Sequence, residues 1–325
     1  MKFTEAQLQK FASPISKTEE EKCKNAIRMV RDAMILVGYT DEGKEIRSFE
    51  TDTFAFALDM SAGYGSKKIT ILVQGSYANK TNIPSQSDVD IAVILESTFI
   101  PVYRIGITGA NYGFSDGTFS AEQLKDEVQR ALLLKFDSQG VERHDKCIKV
   151  IGNSYRVDAD VVPAYRYRNY KEDFNNNPDN YIGGIEIRPD SGGQIINFPE
   201  QHIRLGIVMN KATKYNFKRC VRIIKNMKEQ MEDSRIIVSP KITSFGLESL
   251  LWNVDVSSYT KYPSILRYTF DEALKYLIND SANWTSYLEA NGIKPLFSSE
   301  QNMTAYSNFL VDLRSFYEYD INEVG

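Results

Sequence analysis

At 325 residues the chain is long enough for one large domain or two intimate domains, and its 42% apolar and 25% charged residues are ordinary for a soluble globular protein. A net charge of −4 argues against the broad positive field that drives non-specific binding of long nucleic acids. The three cysteines are scattered, which excludes a disulfide framework, and no apolar run is long enough to cross a bilayer, so we predict a cytoplasmic protein without a membrane partner.

The first two thirds of the sequence predict a core of mixed helices and strands. Apolar residues at three- and four-residue steps over 15–37 predict a long amphipathic helix that ends at Gly38. A capping-box sequence predicts a second helix over 120–136. Short β-branched runs predict strands at 68–74, 89–95, 147–151 and 155–163, and a hairpin at 185–188 and 194–198.

After about residue 205 the apolar spacing becomes helical. It predicts helices near 217–227, 245–252, 265–278 and 300–317. We therefore predict an α+β fold of two domains and expect a monomer. A core with a mixed β-sheet and a long N-terminal helix covers 1–204, and it packs against a helical lobe, 205–325, that closes a ligand cleft.

The residues that carry chemistry lie around two consecutive predicted strands. Gly75 and Ser76 follow the first strand, where glycine lets the backbone approach a ligand and turn amides with the serine hydroxyl can bind phosphate. Asp88 and Asp90 begin the second, and alternation along a strand places both carboxylates on one face. Such a pair favours a divalent cation, and Mg²⁺ prefers carboxylates, phosphate oxygens and water.

A site with two metal ions needs a further carboxylate. The predicted strand at 155–163 offers Asp158 and Asp160 on one face, and we favour Asp160 with Asp158 in reserve. Each feature alone is weak, because edge strands also carry acids and Gly-Ser pairs are common in turns. Their conjunction, with every feature attached to an apolar strand, indicates metal-dependent phosphoryl-type transfer.

These residues resemble the Gly-Ser and paired-Asp motif of the DNA-polymerase-β-like nucleotidyltransferases. The closer resemblance is to the cGAS/DncV-like nucleotidyltransferases of bacterial antiphage signalling, and it covers most of the chain. The stretches that support it are 76–78, 81–83, 160–164, 197–202, 222–226 and 244–250. The resemblance implies that Asp88, Asp90 and Asp160 are catalytic ligands of two Mg²⁺ ions, with Mn²⁺ as a substitute. It also implies that Gly75 and Ser76 hold the triphosphate.

The resemblance further implies substrate contacts from the helical lobe. Lys225 would reach the phosphates, Ser244 would assist with phosphate, and Phe245 would stack on a nucleobase. The spacing of Lys218, Arg222 and Lys225 makes one basic stripe on a helix, which supports the first assignment, although most such stripes are solvated helix faces. Phe245 could equally be a core aromatic residue.

The function implied by the resemblance is the joining of ribonucleoside triphosphates into a cyclic di- or trinucleotide second messenger, with release of pyrophosphate. The expected partners are nucleoside triphosphates and the regulatory or effector proteins of a defence operon, with no requirement for long nucleic acid. Alternatives are a template-independent enzyme that acts on an RNA 3′ end or a small-molecule acceptor, and a non-catalytic nucleotide sensor. The sequence leaves open the nucleobases, the linkage, the ring size, any trigger, and the role of the segment 101–119, interpreted as a loop over the cleft.

Overall fold

The structure is a computed structural model that describes residues 2–49, 53–63, 65–84, 88–117 and 121–319. Its strands, in chain order, are β1 (Lys2–Phe3), β2 (Arg47–Ser48), β3 (Phe56–Ala62), β4 (Lys67–Gln74), β5 (Val89–Val102), β6 (Val141–Arg143), β7 (Ile148–Val150), β8 (Ala159–Asn169), β9 (Ile182–Ile187), β10 (Ile195–Asn197) and β11 (Glu318–Tyr319). Its α-helices are α1 (Glu5–Ala12), α2 (Lys17–Leu36), α3 (Gly75–Ala78), α4 (Ala121–Phe136), α5 (Pro199–Ala212), α6 (Asn216–Asp233), α7 (Ser244–Trp252), α8 (Val256–Thr260), α9 (Leu266–Asn279) and α10 (Glu300–Phe316).

The chain forms two compact units. The sheet unit comprises Ser16–Ala78 and Ser87–Glu200, and the helical unit comprises Met1–Ile15, Asn79–Gln86 and Gln201–Gly325. The boundary near residue 200 lies close to the predicted one. The predicted split at 204 differs from these units in two segments, because the first fifteen residues and 79–86 belong with the helices rather than with the sheet.

One sheet organises the sheet unit. Among the described residues it has nine strands, in the order β10-β9-β8-β5-β4-β3-β2, while β7 pairs with β8 and β6 with β7. Only β5 and β8 among these neighbours run parallel, so the sheet is mixed, as predicted. The helices α2 and α4 contact each other and the central strands, and they cover apolar side chains of the sheet.

The long N-terminal helix has a clear start and end. Ser16 accepts a hydrogen bond from the Glu19 amide, and the Glu19 side chain accepts one from the Ser16 amide, which completes a capping box. Cys23, Ile27 and Val30 are buried along one face, as the spacing predicts. The predicted helix over 120–136 is confirmed as α4, but its capping residue lies outside the described residues.

The helical unit is built around α6. Apolar side chains of α6 are fully buried, and the helix contacts α1, α7, α8, α9 and α10. The first residues of the chain belong to this core, since Phe3 and Leu8 are buried in it. The Glu5 carboxylate accepts hydrogen bonds from the amides of Leu266 and Arg267 at 2.9 and 3.1 Å, and so satisfies free donors at the start of α9.

The tyrosine-rich segment after β5 is packed by aromatic contacts. The ring of Tyr112 lies 5.5 Å from both Tyr103 and Phe114 and 4.6 Å from Tyr170, all within the sheet unit. The Tyr112 hydroxyl donates to Asp173 at 2.8 Å. This cluster fixes the described part of the 101–119 insertion on the strands from which it emerges.

The predicted fold class is confirmed: the chain is α+β, with a mixed sheet and a C-terminal helical lobe. Two strand predictions are wrong in extent. The strand predicted at 155–163 starts only at Ala159 and continues to Asn169, and β5 extends seven residues beyond the predicted end at residue 95. The strand β3 was not predicted at all.

Candidate active site

Gly75 is required where β4 turns into the short helix α3. Its φ of +72° lies in the left-handed region, and a Cβ atom there would lie 2.2 Å from Oδ2 of Asp90. The carboxylate of Asp90 therefore occupies the space that any larger residue at position 75 would need. Ser76 follows in α3 and is half-buried, while Tyr77 and Ala78 are buried and anchor the turn. Phosphate binding by Gly75 and Ser76 stays a prediction.

Asp90 and Asp160 are brought together by strand pairing. They are register partners on the parallel strands β5 and β8, so they lie about 4.8 Å apart along the hydrogen-bonding direction and point to the same face. Burial, together with the charges of Asp160 and Asp88, raises the pKa of Asp90 to about 7. The structure thus concentrates negative charge beside Gly75, which suits a divalent cation.

Asp88 lies just before β5 and is turned toward a lysine that the sequence did not single out. Its Oδ2 is 3.1 Å from Nζ of Lys149, and the same ammonium is 3.0 Å from Oδ2 of Asp158. Within the described part of the chain, no three His, Cys, Asp or Glu side chains are gathered closely enough to hold a metal ion. The geometry therefore pairs Asp90 with Asp160 and leaves Asp88 engaged by Lys149.

Asp158, the reserve candidate for the third acid, has partners of its own. Its Oδ1 accepts the amide of Gly152 at 2.6 Å, and its Oδ2 contacts Lys149. Burial works against ionisation, but these hydrogen bonds prevail and lower the pKa of Asp158. Because Asp158 precedes β8, it does not share the strand alternation assumed from the sequence. Asp160, the register partner of Asp90, stays the predicted third acid.

Two neighbours of Asp160 were missed from the sequence. Lys149 is its register partner on the antiparallel strand β7. The other is Cys147, whose pKa is raised to about 12 by burial and by the charge of Asp160, to which the thiol is hydrogen-bonded. A signal was available, because the predicted strands 147–151 and 155–163 are separated only by a short segment that contains Gly152 and Asn153, residues common in turns. A hairpin there places Lys149 opposite Asp160, provided that the register is known.

The three predicted contacts from the helical lobe all lie in the helical unit. Lys225 is 1% exposed, and its Nζ donates to the backbone oxygen of Thr81 at 2.9 Å and lies 3.6 Å from Oε2 of Glu248. Ser244 is the half-buried first residue of α7. Phe245 is 37% exposed, and its ring packs edge-to-face with the ring of His202. Their substrate contacts stay predictions.

Glu248 is the centre of a buried polar network. Oε1 of Glu248 is 2.8 Å from Nε2 of His202, and Oε2 accepts the Thr81 hydroxyl at 2.7 Å. The side-chain amide of Asn79 is 3.0 Å from the same histidine nitrogen. His202 is therefore a buried hydrogen-bonding residue. Because Thr81 contacts both Glu248 and Lys225, and Asn79 contacts His202, the network holds two of the residues that directly follow α3 in the chain.

Comparison with known proteins identifies close relatives along nearly the whole chain. Residues 204–318 match the model of the cGAS/DncV-like nucleotidyltransferase C-terminal helical domain. A cyclic GMP-AMP synthase, CdnE03 of Staphylococcus schleiferi, is 39% identical over 319 residues, covering 98% of both chains. A cyclic dipyrimidine nucleotide synthase, CdnE of Legionella pneumophila, is 34% identical over 319 residues, covering 96% of this chain and 97% of its own.

The solved structures agree with the sequence relatives. The CdnE cyclic dinucleotide synthase of Elizabethkingia meningoseptica, solved with GTP and Apcpp, superposes with a TM-score of 0.72 at 28% identity, and the match covers 97% of this chain and 98% of that one.

No helix in the described ranges is both long enough and apolar enough to cross a membrane.

Proposed function

The chain belongs to the cGAS/DncV-like nucleotidyltransferases, the enzymes that synthesise cyclic oligonucleotides, and we propose that it joins two nucleoside triphosphates into a cyclic dinucleotide with loss of two pyrophosphates. The names of the relatives support a ring of two nucleotides, since they include cyclic GMP-AMP and cyclic dipyrimidine synthases. The observation that carries the proposal is the register pairing of Asp90 with Asp160 beside Gly75. We further propose that effector proteins of antiphage defence respond to the product.

Asp88, Asp90 and Asp160 would hold two divalent cations, Mg²⁺ or Mn²⁺. The donor chemistry fits, because the site offers the carboxylate oxygens of Asp90 and Asp160, and because burial and neighbouring carboxylates raise the pKa of Asp90, which a divalent cation would reverse. When bound, the cations activate a ribose hydroxyl and offset the charge on departing pyrophosphate. Asp160 would accept the proton of the attacking hydroxyl, and its neighbour in register, Asp90, would keep it oriented. Gly75 and Ser76 would bind the triphosphate through backbone and hydroxyl groups.

Ser244 and Phe245 are the proposed contacts from the helical unit. The ring of Phe245 is partly exposed and could stack on a nucleobase, and Ser244 can donate to a phosphate oxygen. For Lys225 the contacts with Thr81 and Glu248 favour a different role. A buried ammonium that donates to a backbone oxygen holds the chain at that point, and contact with phosphate would break both interactions.

The reaction is tested with purified protein, Mg²⁺ and ribonucleoside triphosphates, supplied singly and in pairs. We expect a phosphatase-resistant product with the mass of a cyclic dinucleotide, without added RNA or small-molecule acceptor. A product that appears only with an RNA 3′ end or with another acceptor would contradict the proposal. Nucleotide binding with no turnover under any condition would indicate a sensor.

The site assignment is tested with Asp90→Ala. We expect no product from this variant and a melting temperature no lower than that of the wild type. Asp59→Ala is the matched control, since Asp59 also lies on a strand of the sheet but contacts Arg47 and Thr70. Full activity in Asp90→Ala, or equal loss in both variants, would refute the assignment.

A further inference from the structure

Lys149 occupies an unusual place for a lysine in a site built to attract cations. We propose that Lys149 is a positioning residue that holds Asp88 apart from Asp90 and Asp160 until a divalent cation displaces it from Asp88. The inference rests on the metal site of the proposed function, and it adds a competing internal cation to that site.

The sheet brings Lys149 onto the face of the acids. It pairs with Asp160 across the antiparallel strands β7 and β8, and paired residues of neighbouring strands direct their side chains to the same face. Its ammonium then lies 3.1 Å from Asp88 Oδ2 and 3.0 Å from Asp158 Oδ2. One lysine therefore bridges a proposed metal ligand and a carboxylate that is not a ligand.

Asp158 keeps the lysine in place when Asp88 leaves. The Gly152 amide donates to Oδ1 of Asp158, so the orientation of this carboxylate is set by the turn before β8. A Cβ on Gly152 would lie 2.7 Å from that same oxygen, so the turn is closed tightly around Asp158. After Asp88 is released, Lys149 retains Asp158 as its partner. The release therefore breaks one of two ion pairs rather than both.

The charge balance gives the order of events. Lys149 offsets part of the charge of Asp88 and Asp158, whereas Asp90 and Asp160, which are register partners, form no ion pair among the residues that the structure describes. Asp90 and Asp160 would therefore attract a divalent cation first, and Asp88 would complete the site on giving up its ion pair with Lys149. This exchange accounts for the absence of a preformed cluster of three acids among the residues described. A partly exposed ion pair changes an equilibrium by up to about fivefold, so the competition is measurable without being prohibitive.

The test is a titration of the full-length protein with Mn²⁺ in the absence of nucleotide. Electron paramagnetic resonance measures the free Mn²⁺ at each step of the titration. Lys149→Met removes the competing charge and keeps an unbranched side chain, and we expect about two- to fivefold tighter Mn²⁺ binding. Lys149→Arg keeps the charge and should bind Mn²⁺ within about twofold of the wild type. Unchanged or weaker binding by Lys149→Met would overturn the inference, because a merely structural lysine predicts that result.

A second variant keeps the test decisive if Lys149→Met does not fold. Asp158→Asn removes the alternative partner of the lysine, so the ammonium depends on Asp88 alone and should weaken Mn²⁺ binding by about two- to fivefold. Equal affinity in Asp158→Asn and the wild type would also overturn the inference.

Asp160→Asn separates this inference from the proposed function. We expect this variant to lose Mn²⁺ binding, since it removes a ligand. If it binds like the wild type, the metal site itself is wrong and the inference falls with it. If it loses binding while Lys149→Met gains none, only the role of Lys149 is refuted.

Discussion

Replacing Glu248 by glutamine should destabilise the helical unit more than any single surface substitution. Glu248 is 1% exposed and accepts hydrogen bonds from Thr81 and His202, while the buried ammonium of Lys225 lies 3.6 Å away. Glutamine keeps the volume but removes the charge, so Lys225 is left with the backbone oxygen of Thr81 as its remaining partner among the described residues. Breaking a buried ion pair by removing one partner costs about 3–5 kcal/mol.

The magnitude can be read out in the helical unit alone. Both tryptophans of the chain, Trp252 and Trp284, lie in this unit, so their fluorescence follows its unfolding. A loss of about 3–5 kcal/mol corresponds to a fall of roughly 6–20 °C in melting temperature for a unit of this size. The matched control is Asp271→Asn, which removes an exposed pair with Lys275 and should cost less than about 0.5 kcal/mol.

A double variant makes the reasoning refutable. Glu248→Gln combined with Lys225→Met removes the uncompensated charge and should recover part of the stability lost in the single variant. A loss below about 1 kcal/mol in Glu248→Gln would show that Lys225 does not depend on this carboxylate. If Lys225 binds phosphate instead, Lys225→Met should raise KM for the nucleotide and leave the fluorescence melt unchanged.

Three further outcomes follow from the described contacts. Burial opposes ionisation of Glu248, but its charged and hydrogen-bonding partners prevail and lower its pKa from 4.5 to about 2. The stabilising contribution of this carboxylate is therefore present above pH 4.5 and is lost as the pH falls toward 2. Urea melts of the wild type and Glu248→Gln should converge over that range. Gly75→Ala should lower product formation at least about 100-fold, because the added Cβ collides with the carboxylate of Asp90. Gly43→Ala is the matched control: Gly43 has a similar φ of +76°, but no atom lies within 4 Å of the added Cβ, so product formation should be unchanged. Asp90→Asn should raise the unfolding free energy by up to about 4 kcal/mol in EDTA at pH 8, because the pKa of Asp90 is raised from 3.8 to about 7 and the variant removes a buried charge that the folded state disfavours. A decrease in urea melts would contradict this.

The sequence predicted the components of the site better than their geometry. Strand alternation placed Asp90 on one face of its strand, but alternation within one strand says nothing about register with another. The pairing of Asp90 with Asp160 became visible only in the sheet. The choice between Asp158 and Asp160 depends on where β8 begins, and a turn formed by Asn153 precedes that point. Its side chain accepts the amides of Tyr155 and Arg156, so residues with high strand propensity form a turn instead.

The basic stripe on α6 shows a different limit of sequence patterns. Lys218, Arg222 and Lys225 have the spacing of a solvated helix face, yet all three are buried. Arg222 donates to the backbone oxygen of Ala12 at 2.7 Å and also to that of Lys80, while Lys225 donates to that of Thr81. Spacing cannot distinguish a solvated stripe from a buried one, because the acceptors come from distant segments of the chain.

These buried donors give the segment after α3 a defined role. Residues 79–84 belong to the helical unit, yet through the chain they link Gly75 and Ser76 to the strand that begins after Asp88. Arg222 and Lys225 bind consecutive backbone oxygens of this segment, and Glu248 binds its threonine hydroxyl. Within the described part of this connection, Lys80 and Thr81 are therefore held by named contacts with α6 and α7. A substitution that loosens Glu248 should affect catalysis through this connection even though Glu248 itself needs no contact with the substrate.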